Sequence, residues 1–371
     1  MKKELPSGWK ELQIKDVLDY ERPDLYIVKN NIYKDKGVAV LTANKSFILG
    51  YTDEKDNIYN NIPVIIFDDF TTETKYVNFP FKVKSSAIKI LKSKKGYNLK
   101  FIYEVLNIIS FNCKVHKRYY ISEYQNLNIL VPPLDEQKRI ADILSTFDDL
   151  IENLNKLIAK KEIYKKGVMQ RVLSGKVRFE GFTDEWETVK LKDILIAGSK
   201  DRVPDTSKYK KITIKLHNKG IEFSNIERKM ADKRPFYIRK KDEIIIGKQN
   251  YFNGSIAIVD EEFDNTICSN AIMSFTVNED CNNKFIYFLL SRKSYMQKYY
   301  HLANGTGQKE LSESDFLNFN LLIPSLEEQN KIAELLSLID QDIDSLKQIL
   351  HLRRLQKKGV MQKLLTGEVR V

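Results

Sequence analysis

Apolar residues recur at alternating steps of four and three along two long stretches of the chain. In the first stretch they are Ile140, Leu144, Phe147, Ile151, Leu154 and Ile158, and in the second Ile332, Leu336, Ile339, Ile343, Leu346 and Leu350. This spacing predicts a coiled-coil seam on each of two helices, roughly over residues 134–173 and 326–365. At about 1.5 Å per residue each helix would reach about 60 Å. A lone helix has nothing to cover such a seam, so we expect the two helices to pack on each other.

The two predicted helices belong to an internal repeat. The string KKGVMQ occurs twice, at 165–170 and 357–362. An acidic-Glu-Gln triplet opens each helix, at 135–137 and 327–329. Matching residues stay 192 positions apart from the triplet to beyond the string. This constant offset indicates duplication, so the chain is predicted to consist of two similar halves related by an internal pseudo-twofold repeat.

Charge is distributed unevenly along both helices. The first half of each is rich in acidic residues, such as Asp148 and Asp340, and the second half in basic ones, such as Lys165 and Lys357. Antiparallel packing would place acid beside base along the whole seam, whereas parallel packing would place like charges together. We therefore predict an antiparallel pair in which the KKGVMQ lysines contact the acidic start of the other helix. The same polarity also suits the dipole of a lone helix, so the charges alone leave that explanation open.

A glycine lies near the basic end of each helix, at Gly167 and Gly359. Glycine inside a helix costs about 1 kcal/mol relative to alanine. Its presence in both copies predicts either a close approach of another backbone or a local bend.

Segments of shorter periodicity flank these helices. The first segment holds strand-like runs such as Val64–Phe67, separated by turn residues, and a predicted helix at Leu99–Ser110. The second follows the same plan after a start at Trp186 that matches the start at Trp9. The predicted fold is α+β, with two similar mixed α/β globules separated by two long antiparallel coiled-coil helices. The predicted domains are globules at 1–133 and 183–323 and spacer helices at 134–182 and 324–371.

Composition narrows the choice of partner only in part. Lys and Arg total 61 against 50 Asp and Glu, which gives a net charge of +11 and a pI near 9.1. This excess favours a polyanionic partner, but a soluble protein from a lysine-rich proteome would look alike. The chain shows no signal peptide and no membrane-spanning apolar run, and its three cysteines lack metal-type spacing. We therefore expect a soluble, cytoplasmic protein with no membrane partner.

No catalytic constellation is recognisable in the sequence. The four histidines are scattered and share no metal-ligand spacing. The loop at Gly305–Lys309 lacks the spacing of a phosphate-binding loop, and Val131–Leu134 lacks the polar residue of the amino-methyltransferase motif. The two carboxylates within Phe67–Phe70 are better explained by a surface turn than by a metal site. We expect no catalytic residue, no metal and no cofactor.

Loop-like stretches in both globules combine basic, amide and aromatic residues. In DNA-binding proteins Lys and Arg neutralise phosphates and read guanine, Asn and Gln read adenine, and Tyr packs on sugar or base. Ordinary solvated loops have a similar composition, but such clusters at comparable places in both globules favour DNA. The candidate DNA-binding residues are Thr71, Lys75, Tyr76, Lys117 and Arg118 in the first globule and Lys248, Asn250, Tyr251, Gln308 and Lys309 in the second.

Taken together, these features resemble the specificity subunit of type I restriction–modification systems. The resemblance rests on three repeated motifs, which are the starts at Gly8-Trp9 and Glu185-Trp186, the helix openings at Pro133–Ala141 and Ser325–Ala333, and the two KKGVMQ ends with their L-x-G. It covers essentially the whole chain, although Ser325 stands where the first copy has Pro133. In that family two target-recognition domains each read one half of a split DNA site. Two conserved helical regions pair antiparallel and dock methyltransferase subunits.

The resemblance implies a function and a set of partners. The two globules would be the recognition domains and would read an asymmetric, bipartite site in double-stranded DNA. Two methyltransferase subunits would bind the spacer helices, restriction or translocase subunits could join them, and the specificity subunit itself would carry no catalytic residues. The interiors of recognition domains vary within the family, so no base-contacting residue carries over.

Two other classes of protein are compatible with parts of the sequence. A free-standing coiled-coil DNA-binding regulator would need recognition helices of the helix-turn-helix type, which are not visible. An autonomous methyltransferase or nuclease would need a cofactor or metal motif, and the sequence shows neither.

Overall fold

A computed structural model describes residues 5–43, 46–113, 115–224, 234–302 and 310–371. The chain divides into unit 1, which comprises Met1–Lys156 with Lys347–Val371, and unit 2, which comprises Leu157–Leu346. Both boundaries fall inside the long helices, so each unit contains one globule together with part of each helix. Within the described ranges, no helix combines the length and the apolar character needed to cross a membrane.

The globule of unit 1 is built from short strands and one longer helix, α2. Its strands are β1 (Lys10–Gln13), β2 (Leu18–Glu21), β3 (Val38–Leu41), β4 (Ile48–Thr52), β5 (Val64–Asp68), β6 (Thr74–Val77), β7 (Phe81–Val83), β8 (Ile88–Ser93) and β9 (Asn128–Val131). Its helices are α1 (Ile14–Val17) and α2 (Leu99–Ile108), after which the long helix α3 (Leu134–Val172) begins. The side chain of Asn98 caps α2 by accepting the N–H of Phe101. The predicted helix at 99–110 is confirmed and ends two residues earlier.

A four-stranded antiparallel sheet in the order β2-β8-β5-β6 organises unit 1. Side chains alternate across a strand, so β5 sends Phe67 to one face and Ile66 to the other. Phe67 joins the core that contains Phe101 of α2, whereas Ile66 joins Phe81 in a second core. The second core also includes residues of the three-stranded sheet β4-β3-β7. The sheet is therefore covered on both faces, and functional side chains are expected at its ends and in its loops.

Unit 2 repeats this plan. Its strands are β10 (Glu187–Lys190), β11 (Leu195–Ala197), β12 (Ile212–Ile214), β13 (Ile221–Phe223), β14 (Phe236–Arg239), β15 (Ile244–Gly247), β16 (Ile256–Ile258), β17 (Thr266–Ser269), β18 (Ile272–Val277) and β19 (Asn320–Ile323). Its helices are α4 (Leu191–Ile194), α5 (Asn283–Leu290), α6 (Lys293–Tyr299) and α7 (Glu313–Leu317), and the long helix α8 (Leu326–Leu365) follows. The main sheet has the order β11-β18-β15-β16, which matches the order in unit 1 strand for strand. The predicted repetition of the mixed α/β globule is confirmed.

The two long helices have the predicted bounds and a buried seam. Helix α3 contains 39 residues and α8 contains 40. All twelve apolar seam positions named from the sequence are buried or partly buried. Ile140 and Leu144 join the core of unit 1, and Ile332 and Leu336 join that of unit 2. Each helix is therefore anchored in a globule core by its first turns.

The helices run antiparallel within each unit. In unit 1, Asp148 of α3 lies 2.6 Å from Lys357 of α8, measured from Oδ1 to Nζ. In unit 2, Lys161 of α3 lies 2.6 Å from Asp342 of α8, and Lys165 pairs with Asp340. Acidic residues of one helix thus face basic residues of the other. The predicted antiparallel pairing of the KKGVMQ lysines is confirmed in both units.

The glycines inside the KKGVMQ strings do not mediate a close contact. A Cβ added at Gly167 or Gly359 would meet no described atom within 4 Å, apart from the helix's own backbone. Both residues lie within uninterrupted helix. The prediction of a close backbone approach at these glycines is wrong.

Candidate nucleic-acid interface

Each globule is fixed to the long helices by the acidic-Glu-Gln triplet. In unit 1 Glu136 is 3 % exposed and accepts hydrogen bonds of 2.6 and 2.8 Å from Nε and Nη2 of Arg370. The amide of Gln137 accepts the N–H of Asn98 and donates to the carbonyl of Pro132. A bidentate pair between guanidinium and carboxylate is strong and directional. The triplet therefore holds the start of α3, the end of the chain and the cap of α2 together.

Unit 2 uses the same contacts. Glu328 is fully buried and accepts hydrogen bonds of 3.0 and 2.7 Å from Nε and Nη2 of Arg178. Gln329 accepts the N–H of Asn282 and donates to the carbonyl of Pro324. The recurrence of the triplet and of the arginine that follows each L-x-G is therefore explained by one docking contact, present in both units.

A tryptophan completes this contact in each unit. Gly367 has a φ of +71°, and a Cβ there would lie 2.7 Å from Cγ of Pro6 and 3.4 Å from the ring of Trp9. Gly175 has a φ of +68°, and a Cβ there would lie 3.5 Å from the ring of Trp186. Glycine tolerates the positive φ and leaves room for the ring. The tryptophan starts and the L-x-G ends are separate motifs in the sequence, but they pack on each other in the structure.

A buried group of charges also links the globule of unit 1 to both helices. Glu104 of α2 is fully buried, and its carboxylate lies 2.8 Å from Lys100 and 3.2 Å from Lys357. The same two ammonium groups contact Asp148 at 2.8 and 2.6 Å. Burial alone would raise the pKa of Asp148, but the hydrogen bonds from Lys100 and Lys357 outweigh it, so this pKa is lowered. Two cations thus neutralise two carboxylates at the junction of α2, α3 and α8.

The corresponding place in unit 2 has a different composition. Counted from the capping residues Asn98 and Asn282, the position of Glu104 is occupied by Phe288. Lys165 pairs with Asp340 there, and its Nζ lies 5.4 Å from the centre of the Phe288 ring. A cation–π contact therefore replaces one of the buried ion pairs of unit 1.

Two loops meet beyond the end of β5 in unit 1. Asp69, in the turn between β5 and β6, donates its N–H to Ala87 and accepts the N–H of Tyr119 at its carbonyl, both at 2.8 Å. Its carboxylate is almost fully buried, accepts the N–H of Tyr120 at 2.8 Å and lies 3.3 Å from Nζ of Lys89. A buried charge is tolerated when it is paired and hydrogen-bonded. Asp69 therefore fixes the turn to the segment 115–120.

Unit 2 holds its loops by the same backbone contacts. Lys248, just after β15, donates its N–H to Ala271 and accepts the N–H of Leu311, both at 3.0 Å. The matching sheet order and hydrogen bonds make Lys248 the structural equivalent of Asp69, and Leu311 that of Tyr119. The clusters selected from the sequence at comparable places in the two globules thus lie on equivalent loops, as far as these loops are described.

The predicted DNA-binding residues near β6 have different environments. Thr71 is exposed in the turn. Lys75 is partly exposed on β6 and forms no ion pair or side-chain hydrogen bond with another described residue. Tyr76 faces α2, where its ring centre lies 5.6 Å from that of Tyr103 and 5.2 Å from Nζ of Lys100. Burial raises the pKa of Tyr76. Its ring therefore packs between strand and helix, and only Thr71 and Lys75 are presented as the sequence prediction requires.

The two basic candidates of the segment 115–120, Lys117 and Arg118, are both exposed. Lys117 pairs with Glu123, and this hydrogen bond raises the pKa of Lys117. Arg118 donates from Nη2 to Oγ of Ser86 at 3.3 Å. Lys117 can rearrange toward a phosphate, because an exposed ion pair contributes about 0–1 kcal/mol. Arg118 has only an exposed hydrogen bond to a hydroxyl to give up.

The candidates in unit 2 also divide into partly exposed polar side chains and a buried tyrosine. Lys248 and Asn250 are partly exposed, and the Asn250 side chain accepts a hydrogen bond from Asn253 at 3.2 Å. Tyr251 is fully buried, and its hydroxyl donates to the carbonyl of Leu290 at 2.9 Å. The prediction that Tyr251 contacts DNA is wrong, because its ring fills the core beneath the loop. Gln308 and Lys309 lie outside the described residues.

Three further residues on these equivalent loops are not among the candidates predicted from the sequence. Phe70 and His116 stack with ring centres 4.4 Å apart and planes inclined by 6°. Gln249 is exposed, and its side chain has no hydrogen-bond partner among the described residues. The carboxylates of the turn at Phe67–Phe70 and the polar residues around Gln249 are visible in the sequence, but composition does not indicate which side chains project. In the part of the chain that is described, no group of three or more His, Cys, Asp or Glu residues is arranged to hold a metal ion.

The chain is similar to known proteins over almost its whole length. The sequence model of the type I restriction modification DNA specificity domain matches residues 6–162 and 183–352. The type I restriction enzyme EcoR124I/EcoR124II specificity subunit of Escherichia coli is 30% identical over 359 residues, covering 89% of this chain and 86% of that protein. The putative type I restriction enzyme MjaX specificity subunit of Methanocaldococcus jannaschii is 27% identical over 421 residues, covering 99% and 95%.

The fold is shared with a solved structure as well. The crystal structure of the type I restriction–modification S subunit from M. genitalium has a TM-score of 0.65 to this chain at 18% identity, and the match covers 98% of both chains. This likeness supports the architecture of two globules and two long helices. The sequence matches extend through both globules and most of both helices. The chain therefore belongs to the type I restriction–modification DNA specificity family, with one match to the family's domain in each half.

Proposed function

We propose that each globule reads one half of a bipartite site in double-stranded DNA. A member of this family supplies the sequence specificity of a type I restriction–modification complex and is not itself the enzyme. The observation that carries the proposal is the pair of equivalent loops, held in unit 1 at Asp69 and in unit 2 at Lys248 by the same two backbone hydrogen bonds. Such loops on a fixed scaffold suit a reading function, because the side chains can vary while the frame is kept.

The two half-sites should differ, which makes the target asymmetric. The turn after β5 is closed by a hydrogen bond from Asp68 to Glu73, whereas the loop after β15 is closed by one from Gly247 to Ser255. The second loop is therefore longer, and the side chains on the two loops differ. Two readers of different shape and chemistry select different base sequences.

Phosphate contacts are assigned to the exposed and partly exposed basic residues of these loops and of strand β6. They are Lys75, Lys117 and Arg118 in unit 1 and Lys248 in unit 2, with Thr71 and Asn250 as polar neighbours. Basic residues that neutralise phosphates give affinity and orientation, while base edges give specificity. Gln308 and Lys309 stay predictions from the sequence alone.

Exposed apolar residues at matching positions of the two long helices are proposed to contact two methyltransferase subunits. Leu157 and Ile163 of α3 in unit 2 are 41% and 69% exposed, and their counterparts Ile349 and Leu355 of α8 in unit 1 are 42% and 53% exposed. Specificity subunits of this family assemble with methyltransferase and restriction subunits. These exposed apolar residues match at a distance of 192 positions, which fits two copies of one partner.

A charge-introducing variant tests this docking. Changing Leu157 and Ile163 to Asp should reduce the complex from two methyltransferase subunits per chain to one, measured by native mass spectrometry. The matched control is Ile32→Asp, which alters an apolar residue that is 78% exposed on the globule of unit 1. A complex that keeps both subunits in the Leu157/Ile163 variant contradicts the assignment.

The long helices are proposed to set the length of the unread gap between the half-sites. Lengthening α3 and α8 by the same number of whole turns should change the gap and leave the half-sites alone. Altered half-sites with an unchanged gap would refute the proposal that helix length sets the gap.

Methylation mapping tests the proposal as a whole. The chain is co-expressed with a methyltransferase subunit in the cytoplasm, where we expect it to act, and methylated adenines are mapped in the host DNA. We expect one asymmetric sequence with two short specified parts and an unspecified gap. A contiguous or palindromic site would contradict the proposal. Tight sequence-specific binding by the isolated chain, with no methylation by the complex, would favour the free-standing regulator.

A further inference from the structure

The paired loops of the two units differ at one structurally equivalent position. Asp69 and Lys248 occupy the same place, so the residues that follow them, Phe70 and Gln249, both begin the projecting part of the turn. One is aromatic and the other an amide. These are two side-chain types with different ways of recognising a base in the major groove.

Phe70 is held in a defined position at the surface. The carboxylate of Asp68 accepts the N–H groups of Phe70 and Thr71, both at 2.9 Å, and Thr72 closes the turn with a φ of +59°. A β-branched residue rarely adopts such a φ, so the surrounding contacts enforce this turn. The ring of Phe70 stays partly exposed, with one face against the exposed His116. An apolar edge is thus fixed in this turn, beside the segment that carries Lys117 and Arg118.

Gln249 presents an amide that the described part of the chain leaves unused. Tyr251, two residues further along the chain, is fully buried and anchors the loop to the core. Gln249 itself is exposed and makes no side-chain hydrogen bond with a described residue. An amide on an anchored loop is suited to the paired donor and acceptor of adenine, which are N6 and N7.

We propose that Phe70 and Gln249 are specificity-determining residues, Phe70 through contact with the methyl group of a thymine and Gln249 through paired hydrogen bonds to an adenine. This assignment rests on the proposed function, since it names the bases that the two globules read. In each unit the same backbone position delivers the reading side chain, and the exchange of an aromatic residue for an amide changes the base that is read.

Base analogues test the assignment within the intact complex of the chain and its methyltransferase subunits. In duplexes carrying the mapped site, each specified thymine is replaced in turn by uracil, which lacks the methyl group, and each specified adenine by 7-deazaadenine, which lacks N7. We expect the wild-type complex to bind about tenfold more weakly when one particular thymine of one half-site is replaced, and likewise when one particular adenine of the other half-site is replaced. In Phe70→Ala the uracil effect should disappear, and in Gln249→Ala the 7-deazaadenine effect should disappear.

Matched substitutions guard against general damage to a globule. Phe79→Ala removes another partly exposed aromatic residue of unit 1, and Gln297→Ala another exposed amide of unit 2. Both should keep the analogue effects. In a correctly folded Phe70→Ala complex, discrimination in the other half-site stays unchanged, which reports folding internally. His116→Ala provides a second variant, and it should weaken the uracil effect by loosening the Phe70 ring.

The outcomes separate this inference from the proposed function. If the wild-type complex reads a bipartite site but Phe70→Ala and Gln249→Ala keep every analogue effect, the assignment is overturned and the Phe70–His116 stack only closes the loop. If either variant instead changes discrimination in both half-sites, the residue acts on the whole complex and the assignment also fails. If the wild-type complex does not recognise a bipartite site, the proposed function itself is contradicted.

Discussion

The buried charges of unit 1 make Lys357→Ala a sharp test of the structure. Lys357 Nζ lies 2.6 Å from Asp148 and 3.2 Å from the fully buried Glu104. Without it, Lys100 alone would neutralise two carboxylates. Removing one partner of a buried ion pair costs about 3–5 kcal/mol. Because Lys100 remains in contact with both acids, we expect the lower end of this range, about 3 kcal/mol.

The repeat supplies a matched control in Lys165→Ala. Lys165 occupies the same place in unit 2, but its carboxylate partner Asp340 is 37% exposed and its second contact is the ring of Phe288. Water can replace the ammonium group at Asp340, so we expect a loss of about 1 kcal/mol. The difference of about 2 kcal/mol corresponds to about 30-fold in the unfolding equilibrium constant.

Each unit carries its own fluorescent reporter for this measurement. The chain contains two tryptophans, Trp9 in unit 1 and Trp186 in unit 2. Urea unfolding is followed in the Trp186→Phe background for Lys357→Ala and in the Trp9→Phe background for Lys165→Ala. Free energies come from linear extrapolation. Equal losses, or a larger loss for Lys165→Ala, would refute the reasoning that the buried Glu104 makes the difference.

Three further predictions use the same structure. The lowered pKa of Asp148 means that its contribution to stability is complete above about pH 4 and is lost as pH falls through the folded-state pKa. The free energy of unfolding, measured with urea at a series of acid pH values, should therefore fall more steeply with decreasing pH for the wild type than for Asp148→Asn. Gly367→Ala should lower the free energy of unfolding by about 1–2 kcal/mol more than Gly96→Ala does, because both glycines have positive φ but only at Gly367 would a Cβ lie 2.7 Å from Pro6. Equal shifts in melting temperature would argue against the contact. Lys248→Ala should lower the slope of log affinity for DNA against log salt by about one, and an unchanged slope removes Lys248 from the interface.

The long helices could be predicted closely from the sequence because their information is local and periodic. Seam positions such as Ile140 and Ile332 recur at fixed steps, and the acid-to-base polarity indicated the direction of packing. The contacts of the repeated motifs could not be predicted in the same way. Glu136 and Arg370 are separated by most of the chain, and a repeat shows only that both matter, not that they meet.

The candidate interface shows where composition stops being informative. Lys75 and Tyr76 are neighbours on β6, yet alternation along the strand leaves one partly free and packs the other on α2. Tyr251 looked like a contact residue within a polar stretch but serves the core. A loop sequence gives the chemistry that is present, whereas burial is decided by distant elements. The sequence therefore predicted loops that lie at equivalent places in the two units, but not which of their side chains are exposed.

Exchange of one globule tests the central claim most directly. Residues 183–323 are replaced by the corresponding globule of a family member with a different mapped site, and methylated adenines are mapped for the complex of this chimaera. If each globule reads its own half-site, the half-site read by unit 1 and the gap stay the same while the other half-site changes to that of the donor. A change in both half-sites, or no change in either, would contradict the account.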